Sequence, residues 1–258
     1  VDFEAGRLVP GGHAEWRAAS SSLQVDVGYG LTSRLSVIAS VPMGRRTLEH
    51  HQPDPGGPLS HDHSGGSFLR EETATTGVGD VQLTTRLLLG RAWTVGAAVK
   101  LASGSHTRRD RFGRIADPMQ QPGTGAPAGL ATLQYSGVAL PFGVSGMVAA
   151  SYERALENDL GYRMGDEAIL SVRGSRQILR GLAASAQLKA WRGLRNVYRG
   201  QASPSTGGTA FSIAPGLRWA TPRGVGLYGT VQVPVYQRVN EAQLGNGLVA
   251  LLGATRSF

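Results

Sequence analysis

Cysteine does not occur in the 258 residues. Disulfides, thiolate metal sites and cysteine nucleophiles are therefore excluded, and an oxidising envelope compartment is compatible with the chain. Long apolar runs are also missing: 41% of the residues are hydrophobic, yet none of the runs approaches the ~18–20 residues of a transmembrane helix. Lysine is nearly absent, with Lys100 and Lys189 the only two, so arginine carries the net charge of +8. The arginines are scattered over turns, loops and alternate strand positions, without interleaved aromatics or a helix to enter a groove. That pattern points away from nucleic acid and towards basic loops facing anionic lipid headgroups, lipopolysaccharide included. No charged and apolar leader opens the chain at Val1, so an exported form is expected to have had its signal peptide removed.

Glycine is abundant instead, at 37 residues, about twice the usual share. Many glycines fall within alternating segments, where they make room inside a small barrel. The clearest such segment runs from Gly77 to Gly104. Val81, Leu83, Thr85, Leu87 and Leu89 alternate with Asp80, Gln82, Thr84, Arg86 and Leu88. After Gly90-Arg91, Trp93, Val95, Ala97, Val99 and Leu101 alternate with Thr94, Gly96, Ala98 and Lys100. A period of two on both sides of a tight break predicts a hairpin of long strands. Soluble sheets use strands of ~5–6 residues, whereas strands of ~9–11 residues, apolar on one face, span membranes as barrels.

Similar alternation covers 1–8, 23–29, 35–41, 131–135, 142–152, 168–172, 182–190, 211–219, 225–235 and 248–254, giving twelve predicted strands with the central pair. Connections alternate short and long, with both termini expected on the short-turn side. The longest irregular segments are about 44–76 and 105–127. A soluble β-sandwich would not sort its loops by length in this way. The expected architecture is all-β: one domain over 1–258, a closed antiparallel transmembrane barrel of twelve strands with short periplasmic turns and long extracellular loops. Closure would remove the edges of such long apolar strands.

Several blocks resemble the outer-membrane transporter family named for the meta-cleavage pathway of phenol degradation. They are YGLTSRLSVIASVP at Tyr29–Pro42, TGVGDVQLTTRLLL at Thr76–Leu89, the KLASG ending at Gly104, SIAPGLRW at Ser212–Trp219 and QVPVYQ at Gln232–Gln237. The closing aromatic, Phe258, is similar to the signal by which barrel-assembly machinery recognises its substrates, although Arg256 departs from it. The resemblance implies an outer-membrane barrel that transports apolar or aromatic small molecules. It implies no catalytic residue.

With the apolar stripe towards lipid, the opposite face is expected to line a lumen. It carries Asp26, Asp80, Gln82, Arg86, Lys100, Glu153, Glu167, Arg173, Lys189 and Arg218, with Asp2 and Glu4 on the first strand. Charges on such a face either pair across the lumen and hold register or form a constriction that selects solutes. All six histidines, His13, His50, His51, His61, His63 and His106, fall in predicted external loops. His50, His51, His61 and His63, with Asp54 and Asp62, are candidate ligands for a transition metal or haem. No resident cofactor is otherwise expected, and no acid–base pair anchored on a strand suggests an enzyme. The expected role is passage of a small apolar or aromatic solute through a Gram-negative-type outer membrane. The alternatives are a scaffold for an extracellular or periplasmic protein held by the external loops, or a metal- or haem-binding surface protein.

Overall fold

A computed structural model describes residues 2–4, 7–9, 15–53, 68–109, 113, 115–221, 224–241 and 244–256. In chain order the strands are β1 (Asp2–Glu4), β2 (Arg7–Val9), β3 (Glu15–Gly30), β4 (Leu35–Pro53), β5 (Phe68–Val78), β6 (Gln82–Leu89) and β7 (Trp93–Lys100). They continue as β8 (Ala128–Leu140), β9 (Val144–Ala155), β10 (Tyr162–Arg163), β11 (Glu167–Leu179) and β12 (Leu182–Gly193). The last are β13 (Val197–Tyr198), β14 (Gln201–Ala202), β15 (Gly208–Ala220), β16 (Val225–Val239) and β17 (Val249–Arg256). Among the described residues only two 3-10 turns, Pro118–Gln120 and Pro141–Gly143, are helical, and no helix is long and apolar enough to cross a membrane.

One antiparallel sheet takes in nearly every long strand, in the order β17-β16-β15-β12-β11-β9-β8-β7-β6-β4-β3, with β5 also beside β4. β4 is long enough to hold two partners end to end. It pairs with β6 from Leu35↔Leu87 to Ser40↔Gln82 and with β5 from Met43↔Val78 to Pro53↔Phe68. β5 and β6 are thus two lengths of one line, interrupted at 79–81. Pairing also enters both ends of the expected irregular segment 44–76. The polar stretch there has no apolar alternation for a sequence reading to detect, yet its backbone groups still find partners in a ladder.

The expected first strand does not join this sheet. Asp2–Glu4 pairs with Arg7–Val9, Glu4 opposite Arg7, as a separate hairpin. Local pairing closes a much shorter loop than docking onto a distant strand edge, and so costs less chain entropy. The sheet path is therefore eleven positions wide, and β3 comes in from the long-loop end. Among the described residues β3 and β17 are not paired with each other.

The register puts most of the apolar side chains on one face, with Ile38, Leu88, Leu130 and Ile169 among the exceptions. One row runs Tyr29↔Val37, Val37↔Thr85, Thr85↔Ala97 and Ala97↔Ala131, and another joins Leu188 to Val172 and Ile213. These side chains are exposed: Val27 is 68% accessible, Leu188 58% and Leu252 88%. The buried residues are small and mostly lie on the opposite face, among them Ser40, Thr84, Ala98, Ser171, Ala210 and Ser212. No large side chain is fully buried among the described residues. A water-soluble sheet does the reverse, and a continuous apolar surface of this size requires a non-aqueous neighbour. The short turns close locally, as at 31–34, where Thr32 Oγ1 accepts from the Leu35 N–H at 2.9 Å.

Candidate functional site

The polar face gathers most of the expected charged residues. Asp26, Ser40, Gln82 and Lys100 follow one another in register across β3, β4, β6 and β7. Arg86 stands between Ser36 and Gly96, Arg173 opposite Gln187, Lys189 between Ser171 and Ser212, and Arg218 opposite Ala183 and Tyr228. Of these expected charges, the structure brings one pair into contact, Lys100 with Glu153. Glu153 is the cross-strand partner of Glu167, whose Oε2 accepts from Trp191 Nε1 at 3.1 Å. The remaining cations bond to neutral partners or to none among the described residues; Arg173, for instance, donates to Ser185 Oγ at 3.0 Å. Charge pairing across the interior is therefore sparse.

Asp80 has a different position from the one its alternation suggests. It sits in the interruption between β5 and β6, is 6% accessible, and holds the β7–β8 connection, residues 101–127. The Gly104 N–H donates to its Oδ1 at 2.9 Å. The Thr124 N–H and hydroxyl donate to its Oδ2 at 2.8 and 2.7 Å. A buried carboxylate needs such donors, and this one draws them from both limbs of a single loop.

The same connection is fastened at its middle. Arg46 Nη1 donates to the carbonyls of Met119 at 2.6 Å and Gln121 at 3.1 Å, and the Thr75 hydroxyl donates to the Gln120 carbonyl. The Gln121 amide, 2% accessible, accepts from the Arg108 N–H and donates to the carbonyls of Arg108 and Ala116, each at 2.9 Å. Arg46 and Thr75 share the polar face with Ser20. The loop therefore folds inward over that face. Its limbs pack backbone to backbone: a Cβ on Gly104 would lie 2.8 Å from Cα of Gly123 and from the carbonyl carbon of Gly79.

Across the mouth the loop meets the β12–β15 connection. Asn196 Nδ2 reaches Met119 Sδ at 3.7 Å and also bonds the Tyr162 hydroxyl. Its Oδ1 accepts from the Gly165 N–H at 2.7 Å. β4 and β12 stand six positions apart in the sheet, about 29 Å at the usual strand spacing. The 101–127 loop bonds to both sides, and the sheet curls with its polar face concave.

Two cavities lie at opposite ends of this surface. The one at the long-loop end, about 770 Å³, is walled by three connections that contribute His106, Ile115, Asp117, Tyr162, Tyr198 and Arg199 among others. His106 Nε2 is 2.7 Å from Asp159 Oδ1, and the ring lies so close to Gly125 (φ 71°) that any side chain there would collide with it. Burial pushes the Tyr162 phenol above its ordinary range, and the bond with Asn196 offsets part of that rise. Arg199 occupies a left-handed turn position at φ 48°, with its guanidinium 5.2 Å from the Tyr198 ring centre. The second cavity, about 490 Å³, lies at the short-turn end and includes Arg86, Thr94, Thr132, Gln134, Ser151 and Ser171.

The expected histidine site lies outside the described residues: His61 and His63 entirely, and His50 and His51 as to their side chains. Among the described residues no group of three or more metal-ligating side chains occurs. The long-loop cavity was not foreseen from the sequence. Its walls come from aperiodic segments far apart in the chain, and the one local signal was His106, counted with the other loop histidines.

No protein-family model matches the sequence, and no curated protein matches it. Among solved structures the chain is similar to an outer membrane channel from Pseudomonas putida F1, with a TM-score of 0.69 at 16% identity, covering 100% of this chain and 90% of that one. It is less similar to a FadL homologue of Pseudomonas aeruginosa, with a TM-score of 0.45 at 12% identity over 93% of this chain and 66% of that one. For the toluene transporter TbuX of Ralstonia pickettii the values are 0.35, 14%, 93% and 68%. Of these three, the first is close enough to define the architecture. The chain has the fold of an outer membrane channel.

Proposed function

We propose that this protein is an outer-membrane barrel that passes a small apolar or aromatic solute between its two cavities, along the polar concave face. The observation that carries the proposal is the placement of two cavities at opposite ends of one curled face, with the 101–127 loop folded inward between the walls. The exposed apolar face gives the membrane contact, and closure of the curled sheet into a barrel completes the path. The lumen is lined by Asp26, Gln82, Arg86, Lys100, Glu153, Glu167, Arg173, Lys189 and Arg218, and Asp80 acts as a clasp on the loop. The blocks that resemble the phenol meta-pathway transporters agree with this role and with an aromatic solute.

The density of bonds on the loop favours a second function, a scaffold whose mouth is shut and whose loop layer holds a partner protein. One experiment separates the two. Purified protein is placed in planar bilayers and in vesicles loaded with an aromatic indicator, as wild type and as Asp80→Ala. Transport predicts small openings and solute flux, both larger in the variant. Silence from both proteins after verified insertion would overturn transport and leave the scaffold.

A further inference from the structure

Three strands that run towards the long loops end alike. Arg154, Arg192 and Arg238 are the last residues but one of β9, β12 and β16. All three are exposed and lie on the apolar face. Arg192 and Arg238 flank Thr209 in register, and Arg192 is opposite Ala168, the partner of Tyr152. Arg154 stands one step above Tyr152 on the same face. The intervals are two strands each, about 10 Å.

Immediately below, towards the sheet centre, are Tyr152 beneath Arg154 and Tyr236 beneath Arg238, the latter with its ring centre 5.6 Å from that of Phe211. Lower again come the exposed side chains of Leu170, Leu188, Ile213 and Val233. Along β9 and β16 the order is apolar, aromatic, then guanidinium, and on β12 Ala190 stands beneath Arg192 with Phe211 of β15 beside it. This is the order of acyl chains, interface and phosphate layer met going outward through a leaflet. Among the described residues no carboxylate pairs with these arginines. Arg192 Nη1 donates to Thr209 Oγ1 at 3.3 Å, and the nearby Asp166 carboxylate is already engaged by Tyr152 and Arg163. Both lysines of the chain, Lys100 and Lys189, lie on the opposite face, so every outward cation is an arginine. The planar guanidinium is the side chain that binds phosphate oxygens in pairs.

We infer that Arg154, Arg192 and Arg238 form a row that binds the phosphate groups of a glycolipid of the outer leaflet, with Tyr152 and Tyr236 against its sugar–acyl boundary. The proposal rests on the outer-membrane function for its orientation, but not on passage of any solute.

The test is native mass spectrometry of the protein in non-ionic detergent, titrated with diphosphorylated lipid A and with its dephosphorylated form. Wild type is expected to retain the phosphorylated lipid and to lose it on dephosphorylation. The triple variant Arg154→Gln, Arg192→Gln, Arg238→Gln should bind about tenfold or more weakly, and each single variant should show part of that loss. Arg176→Gln, on the same face near the short turns, serves as the charge-matched control for each single variant. Equal binding by the triple variant, or an equal loss in the control, would overturn the row. Insertion into bilayers is scored separately, so failure of the outer-membrane function would show as no insertion, whatever the lipid titration gives.

Discussion

Asp80 and Thr124 are joined twice, the backbone N–H and the hydroxyl of Thr124 both donating to Asp80 Oδ2, at 2.8 and 2.7 Å. A third donor, the Gly104 N–H, fills Oδ1. Asp80→Ala leaves all three donors without their acceptor in a buried place, with a local cost of about 2–4 kcal/mol. The 101–127 loop should release while the strands stay paired. Limited proteolysis should cut within the loop in the variant alone, and the heat-modifiable mobility of the barrel should be retained.

The glycine contact makes a steric prediction about the same loop. A methyl group at Gly104 would be forced within 2.8 Å of the backbone at Gly79 and Gly123, which costs about 1–3 kcal/mol when backbone has to move. Gly104→Ala should therefore give the proteolysis pattern of Asp80→Ala without any change of charge. A variant as resistant as wild type would mean that the limbs can separate freely.

Lys100 neutralises Glu153, which stands opposite Glu167. In Lys100→Met two carboxylates face the interior without that cation. Channel selectivity, read as the reversal potential across a KCl gradient, should move towards cations severalfold. The stability change should be small, because both partners of the ion pair are partly exposed.

Adjacent residues Gln187 and Leu188 point to opposite faces. If Leu188 meets lipid, Leu188→Arg should cost about 2–4 kcal/mol of bilayer stability near the midplane, measured by urea unfolding from vesicles. Gln187→Arg should cost much less. Equal penalties would argue against a membrane on the apolar side.

The raised phenol of Tyr162 links the long-loop cavity to pH. Its folded pKa lies above the unfolded value of about 10, so the native state holds the proton more firmly. That contribution is complete below about pH 10 and is lost as pH rises through the folded value. Protection factors in 158–166 and 194–207, corrected for the base catalysis of exchange itself, should fall in this alkaline range, and in Tyr162→Phe that fall should be reduced.

The strands were legible wherever one face must meet an apolar medium. Leu23 to Tyr29 and Leu182 to Ala190 alternate for that reason, and the register follows their pattern. Upper β4 and β5 were not legible, since residues such as Arg45, Arg46, Thr75 and Thr76 alternate nothing that hydrophobicity can detect. In the alternation Asp80 is one more polar strand position. Its partners are a glycine and a threonine 24 and 44 residues away, and only folding brings them together. The long-loop cavity failed for the same reason. Three loops make it, and the periodicity of each is nil.

The eleven positions of the sheet have a topological consequence. With every neighbour antiparallel and an odd count, β3 and β17 both point towards the short-turn end. A seam made by these two alone would be a parallel ladder, with evenly spaced, slanted hydrogen bonds. A seam antiparallel throughout needs one more strand between them, running from the turns to the loops. If β3 and β17 meet directly, the parity of the sheet makes theirs the one parallel junction among antiparallel neighbours, and so the slightly weaker one per residue.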